Sequence, residues 1–318
     1  MKAVFITHAS RDIGGGHLSR CFALSRALER RGGECSWILN TGAASQAAAL
    51  GIKNAEFHEY PFTETRAARS GGADFAVVDS YSADAGFYKA VSERAKLIVI
   101  DDLHDRGVER FAHAVINYSM GARREMYDNT LCVYLMGPGY ALLREEYWDM
   151  APAEGNYVLF VPGAADVSGS AWEVAEWWSG DMDNLSIVLG PLVPENRAEN
   201  TFRAARGKEN IEILTAPRDF ASLLAGARFV ICSASVTAYE ALALEKRTAV
   251  FSVADNQRGL GEILSGIGAA YSLGDWQSVT PESITEAMRF MPRSGVLRGL
   301  INKRGALASA EDIIRMLF

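Results

Sequence analysis

A strand, a glycine turn and a helix follow one another directly at the start of this chain, and that order constrains its fold more than any other feature. Ala3-Val4-Phe5-Ile6-Thr7 is a short apolar run, partly β-branched, of the kind that forms a buried strand. Residues 10–16 lack periodicity and end in Gly14-Gly15-Gly16. From His17 onward Leu18, Cys21, Phe22, Leu24 and Leu28 recur at helical spacing until Gly32-Gly33 stops the pattern. Glycines at such a turn let the backbone approach a ligand at the positive end of a helix dipole, where anions bind. A lone glycine-rich run does not by itself identify a dinucleotide fold, and a nicotinamide site is not expected. His17 stands on the first turn of the helix, where the dipole disfavours imidazolium and leaves a neutral base near pH 7. The same position suits a histidine that merely caps the helix. On the residues alone both readings stand.

The pattern continues along the chain. Strand-like runs at Phe75–Val78, Leu97–Ile100, Ala114–Ile116 and Leu131–Leu135 alternate with the helical segments Ser45–Leu50 and Ala85–Ala95. After the interruption at Pro152, Glu154 and Gly155 a second series begins, with strands at Tyr157–Val161, Ser186–Leu189, Ile211–Leu214, Phe229–Cys232 and Thr248–Val253. Its helices are expected at Ala171–Trp178, Phe220–Ala225, Thr237–Leu244 and Arg258–Leu264, and a last one at Gly305–Phe318. Such alternation predicts α/β domains with parallel sheets and right-handed crossovers. At 318 residues the chain suits two of them, expected as residues 1–150 and 151–318.

Composition narrows the partners. A net charge of -7 and the lack of any Lys/Arg block give no support to nucleic acid or to an anionic membrane surface. No apolar stretch approaches a membrane span, and the first strand begins at once, so a cytoplasmic protein without leader or anchor is expected. No obligate protein partner is evident. Cys21, Cys35, Cys132 and Cys232 are widely spaced, without a CxxC pair, and read as buried free thiols.

Ligands of parallel sheets bind beyond the carboxyl ends of the strands. Those positions hold Gly14 to His17, then Asp79-Ser80-Tyr81, then Asp101-Asp102-Leu103-His104-Asp105. The last cluster has metal-ligand chemistry, but neighbours on an extended segment point apart, and turn structure is the favoured reading. Asp79 and Tyr81, at alternate positions, are expected to face one side. In the second half Ser233-Ala234-Ser235-Val236-Thr237 leads into a helix and suits either a diphosphate cradle or an ordinary N-cap by Ser235. Asn256 and Gln257 stand at the same edge. Trp172, Trp177 and Trp178 are expected to pack on the sheet.

Taken together, Ile13-Gly-x-Gly-His17-x-x-Arg20-Cys21, Val78-Asp79-x-Tyr81, Ile100-Asp101-Asp102-Leu103, Gly137-Pro-x-Tyr140-Ala-Leu-Leu-Arg144-x-Glu146, Ser233-Ala-Ser-x-x-x-x-Glu240-Ala-Leu and Asn256-Gln257 resemble one family. It is that of the UDP-2,4-diacetamido-2,4,6-trideoxy-β-L-altropyranose hydrolases of pseudaminic acid biosynthesis, relatives of the MurG-type glycosyltransferases. The resemblance implies the GT-B architecture, two Rossmann-like parallel-sheet domains facing a cleft. It implies a UDP-sugar substrate hydrolysed at C1 with inversion, His17 activating water and UDP leaving, with no cofactor and no metal. Tyr81 and Asn256 would lie near the sugar as further catalytic residues. Glu240 would hold the ribose, and Ser235 with its neighbours the diphosphate. The substrate-binding set then comprises Gly14, Gly15, Gly16, Arg20, Asp79, Gly163, Ser233, Ser235, Thr237, Glu240 and Gln257. The chain departs from the family pattern at Gly163-Ala164-Ala165-Asp166 and at Ser233-Ala234-Ser235, where relatives carry more glycine. The alternatives are a GT-B glycosyltransferase that passes the sugar to an acceptor, and a nucleotide-sugar-binding protein without catalysis. The first domain lacks an apolar or basic run for a lipid-linked acceptor, which favours water.

Overall fold

A computed structural model describes residues 1–10, 14–59, 71–153 and 155–317. Ile13 and Glu154, which entered the reading above, lie outside the described residues. The chain forms two compact units, the first built from Met1–Ser10, Gly15–Glu145 and the residues from Arg304 onward, the second from Glu146–Lys303.

In the first unit the strands are β1 (Lys2–Thr7), β2 (Glu34–Asn40), β3 (Ala55–His58), β4 (Phe75–Asp79), β5 (Lys96–Ile100), β6 (Ala114–Asn117) and β7 (Val133–Met136). Among the described residues they make one sheet in the order β3-β2-β1-β4-β5-β6-β7. Every pairing in it is parallel. A parallel sheet is covered on both faces, which is why its central strands are apolar runs without alternation. In β4 all five residues are buried. Val4, Ile6, Val78, Leu97, Val99 and Val115 pack with Phe87 and Val91 of the helix Ala85–Ser92. Each such aliphatic side chain stabilises the fold by about 1.5–3 kcal/mol on burial.

The second unit repeats the plan with β8 (Tyr157–Val161), β9 (Asn184–Leu189), β10 (Ile211–Thr215), β11 (Phe229–Ser233), β12 (Arg247–Ser252) and β13 (Tyr271–Asp275). Their order is β10-β9-β8-β11-β12-β13, again all parallel. Trp178 is fully buried here, its indole N–H donating to the Asp183 carbonyl at 2.7 Å. Trp177 stacks on Trp276 with ring centroids 5.7 Å apart. Trp172 departs from the expectation: it stands at the surface, 40% exposed.

Two sequence expectations change in the structure. The unit boundary falls between Glu145 and Glu146, and the last helix, Gly305–Leu317, groups with the first unit rather than with residues 151–303. Its docking is specific: the Tyr140 hydroxyl donates to Asp312 at 2.9 Å, and Arg31 pairs with Glu311. The second change concerns residues 136–147, whose sequence reads as a turn followed by a short helix: the structure has two short 3-10 turns there, Pro138–Tyr140 and Glu145–Tyr147. Among the described residues no helix is long and apolar enough to cross a membrane.

Candidate active site

In the first sheet the strand order reverses between β1 and β4, and a doubly wound sheet binds ligands beyond the carboxyl ends at that point. The helix that follows β1 carries His17, and β4 ends on Asp79. Thr7 and Asp79 are register partners at the ends of β1 and β4, and the Thr7 hydroxyl donates to the Asp79 carbonyl at 3.0 Å. Asn40, at the end of β2, clamps the loop after β1 by accepting from Ala9 N–H and donating to Ala9 C=O, both at 2.9 Å.

The helix Gly16–Glu29 has Gly15 at its N-cap and no side-chain cap. His17 therefore does not cap it. The Gln46 amide takes the place beside the turn, its N–H donating to Gly15 C=O at 3.0 Å. A Cβ on Gly15 would lie 2.3 Å from that amide, so the near face of Gly15 is already filled. Gly14 adopts φ +83°, open to glycine.

His17 is held on three sides. Its Nδ1 lies 2.7 Å from Asp79 Oδ1. The His8 ring flanks it at a centroid distance of 4.5 Å, and the Tyr81 ring meets it edge-on at 4.3 Å. Arg20, one turn along the helix, donates Nε to Asp79 Oδ2 at 2.5 Å and Nη2 to Asp79 Oδ1 at 2.7 Å, a bidentate pair. Its remaining arm, Nη1, reaches Asp102 Oδ2, which also accepts from the Tyr81 hydroxyl at 2.9 Å. His17, Arg20, Asp79 and Tyr81 were each singled out in the sequence, and one network holds all four.

The electrostatics follow from burial. Burial by itself would raise the Asp79 carboxyl, but Arg20 and His17 outweigh it and hold Asp79 well below the usual carboxylate range. Asp102 is lowered for the same reason, with Arg20 overcoming its burial. An ionised Asp79 only accepts, so in the neutral imidazole its contact places the proton on Nδ1, which also has Arg20 Nη2 3.1 Å away, and leaves the lone pair on Nε2. Nε2 has no hydrogen-bond partner among the described residues. Such an imidazole can take a proton from an O–H group. Burial pushes the fully enclosed His8 down to about 3, with the His17 charge acting in the same direction, so His8 is a neutral wall.

The Asp101 to Asp105 cluster is divided between two networks. Asp101 pairs with Arg106 at 2.8 Å and accepts from His104 N–H and the Tyr127 hydroxyl, both at 3.2 Å. Asp102 turns to Arg20 instead. Among the described residues no three His, Cys, Asp or Glu side chains are gathered for a metal.

In the second unit the order reverses between β8 and β11. Gly163, after β8, has φ +105°, which excludes other residues in practice, and a Cβ there would stand 3.5 Å from Ser233 Oγ. Asp166 ends this loop by accepting from Ser170 Oγ at 3.0 Å and Ala171 N–H at 3.3 Å, so the loop is tied to the helix Ser170–Trp177. Ser235 occupies the N-cap position of the helix Val236–Ala243 without a capping bond. Its hydroxyl instead lies 3.0 Å from that of Ser233. Gly163, Ser233 and Ser235 are thus brought together, with Thr237 half-buried on the first turn. Glu240 is buried on the same helix, and its charge adds to burial in raising the Cys232 thiol. Gln257 folds back to accept from Val253 N–H at 3.0 Å, whereas Asn256 is exposed at the start of the helix Asp255–Ile267.

No family model matches the chain. It is 24% identical over 95% of its length to the spore coat polysaccharide biosynthesis protein SpsG of Bacillus subtilis, covering 93% of that protein. It is also 24% identical, over 77% of its length, to the pseudaminic acid cytidylyltransferase and UDP-2,4-diacetamido-2,4,6-trideoxy-beta-L-altropyranose hydrolase of Helicobacter pylori, of which it spans 43%. An uncharacterised protein of Methanocaldococcus jannaschii matches over 54% of its own length, so the chain spans about half of two of these relatives. Among solved structures, MurG of Acinetobacter baumannii superposes with a TM-score of 0.65 at 16% identity, over 99% of this chain and 100% of that one. A calicheamicin glycosyltransferase gives 0.63 at 14% identity, over 99% and 98%. The UDP-GlcNAc 2-epimerase of M. jannaschii gives 0.61 at 14%, over 100% and 99%. The fold is GT-B.

These neighbours correct the expectation of a hydrolase. The solved structures of this fold include MurG, glycosyltransferases of kitacinnamycin, calicheamicin and spinosyn, and UDP-GlcNAc 2-epimerases, and no hydrolase stands among those compared, so the fold does not carry hydrolysis by water. The motif itself does not discriminate, because a base that accepts a proton from water accepts one from an acceptor hydroxyl equally well. The argument from a missing apolar run also weakens in three dimensions. Met126, Leu131 and Val133 stand exposed at and before the edge strand β7, Leu131 by 90%.

Proposed function

We propose that this chain is a nucleotide-sugar enzyme that transfers a sugar from UDP to an acceptor hydroxyl. The observation that carries the base chemistry is the His17–Asp79 pair at the switch point of the first sheet, with Nδ1 pinned at 2.7 Å and Nε2 left as the acceptor; the choice of an acceptor hydroxyl over water is supported by the glycosyltransferases that share the fold. Nε2 takes the hydroxyl proton as the acceptor oxygen forms a bond to C1, and the C1–O bond to UDP breaks with its electrons leaving on the diphosphate. A single displacement of this kind inverts C1. Asp79 stabilises the imidazolium as it forms, and Arg20 keeps Asp79 ionised. Tyr81, beside the His17 ring, faces the sugar. The hydroxyls of Ser233, Ser235 and Thr237, with the backbone at Gly163, receive the diphosphate, and Glu240 and Gln257 line the nucleoside side. The H. pylori hydrolase and the M. jannaschii 2-epimerase, both of UDP-sugars, support UDP as the carrier, and the spore coat polysaccharide biosynthesis protein of B. subtilis supports a saccharide product.

The test uses UDP-N-acetylglucosamine labelled in the sugar, offered with a panel of mono- and disaccharide acceptors. Label in a larger saccharide, absent when His17 is replaced by alanine, is the expected result. Label released as free monosaccharide at an equal rate with and without acceptor would overturn transfer.

A further inference from the structure

Asp79 and Asp102 share a single arginine. Arg20 spends Nε and Nη2 on Asp79 and Nη1 on Asp102, so one guanidinium faces two carboxylates. Both carboxyls are held below their ordinary range, by Arg20 against the effect of burial. With His17 neutral the cluster carries one surplus negative charge, and with His17 as imidazolium it carries none. The surrounding groups do not change this count. His8, from the loop after β1, is neutral because of its burial. Tyr81, after β4, donates its hydroxyl to Asp102. Tyr118, after β6, interacts with Arg20 as a phenol whose pKa is pushed up to about 12, chiefly by burial. Arg106 lies 5.4 Å from the Tyr81 ring centroid but is matched by Asp101 at 2.8 Å.

We propose that Asp102 is a positioning residue that keeps this network one negative charge in surplus, so that the proton taken by His17 completes a neutral cluster. Asp102 does not touch His17; it acts on the ring through its own field and through Arg20, by drawing part of the guanidinium charge away from Asp79. The Tyr81 hydroxyl donates to that carboxylate without adding charge, and Arg20 holds the same oxygen. An Arg20 committed to Asp79 alone would neutralise it and leave the imidazolium without a counter-ion. The proposal deepens the transferase reading and rests on His17 as its base.

The experiment follows the His17 imidazole by heteronuclear NMR as pH is varied, without substrate, its signals assigned by their loss in His17→Gln. Asp102→Asn removes the charge and keeps the shape. Its His17 midpoint is expected at lower pH than in the wild type, by about three- to tenfold in acid dissociation constant. Tyr81→Phe, which keeps both carboxylates, is expected to leave the midpoint in place, and Asp102→Glu to restore it. A merely structural Asp102 would lower stability without moving the midpoint, and a midpoint unchanged in folded Asp102→Asn overturns the proposal. Should that variant fail to fold, Asp102→Ser carries the same prediction and the same refutation. Because the titration needs no substrate, failure of the transferase reading would show separately, as a missing saccharide product beside an intact midpoint shift.

Discussion

His17 and Asp79 lie 62 residues apart in the chain, yet their ring nitrogen and carboxylate oxygen meet at 2.7 Å. Parallel pairing of β1 with β4 produces this contact, because it sets the start of one crossover helix beside the last residue of the neighbouring strand. If Asp79 fixes the Nδ1–H tautomer, Asp79→Asn preserves the packing and loses the orientation. Transfer is expected to fall on the order of 10²–10⁴-fold with KM for the UDP-sugar little changed. Asp79→Ala goes further by depriving a buried Arg20 of its bidentate partner, and urea denaturation should show a loss of about 3–5 kcal/mol.

The buried His8 gives the first unit a pH dependence of definite sign. Its folded-state pKa of about 3 lies below the ordinary 6.5, so between those values the unfolded chain binds a proton that the folded chain does not. Stability therefore falls as pH drops below 6.5, with a limiting slope of about 1.4 kcal/mol per pH unit, until pH approaches 3. Asp79 adds a loss of the same direction only below about pH 4, the ordinary aspartate value. In His8→Phe, denaturation curves measured from pH 7 to 5 should be flatter than those of the wild type. Parallel curves would remove His8 from the account.

Gly15 and Gln46 should behave as a coupled pair. Gly15→Ala drives a methyl into the Gln46 amide, whereas Gly15 itself has an ordinary backbone φ of -112°. The cost is then set by the displaced amide. A double-mutant cycle with Gln46→Ala should give a coupling of about 0.5–3 kcal/mol, the methyl being tolerated once the amide is gone. Strict additivity would contradict the packing described.

Much of this was legible in the sequence, for physical reasons that differ from element to element. Buried parallel strands such as Phe75–Asp79 advertise themselves as unbroken apolar runs. The strands that escaped notice, Ala55–His58 and Tyr271–Asp275, are edge strands carrying Glu56 or Gly274, where one side needs no apolar cover. The helix Glu195–Ala205 buries only Thr201 and so lacks an apolar stripe. The helix Gly305–Leu317 was visible, but its unit was not, since a lone amphipathic helix does not say which surface it covers. At the site, position after a strand was enough to select His17, Asp79 and Tyr81. His8 carried the same signal, directly behind β1, and went unread. The partnership of Arg20 with Asp102 spans 82 residues, and only the strand order brings the two together. The choice between water and an acceptor hydroxyl was not legible at all, because both present the same O–H to the same nitrogen.

The central claim is that His17 acts on the acceptor rather than holding the nucleotide. Its most direct measurement is paired: UDP binding by calorimetry and saccharide transfer by His17→Ala, both against the wild type. A Kd for UDP within about threefold, together with transfer lowered about 10²–10⁴-fold, is predicted. Undiminished transfer, or a loss of UDP affinity that accounts for the whole fall in rate, would contradict it.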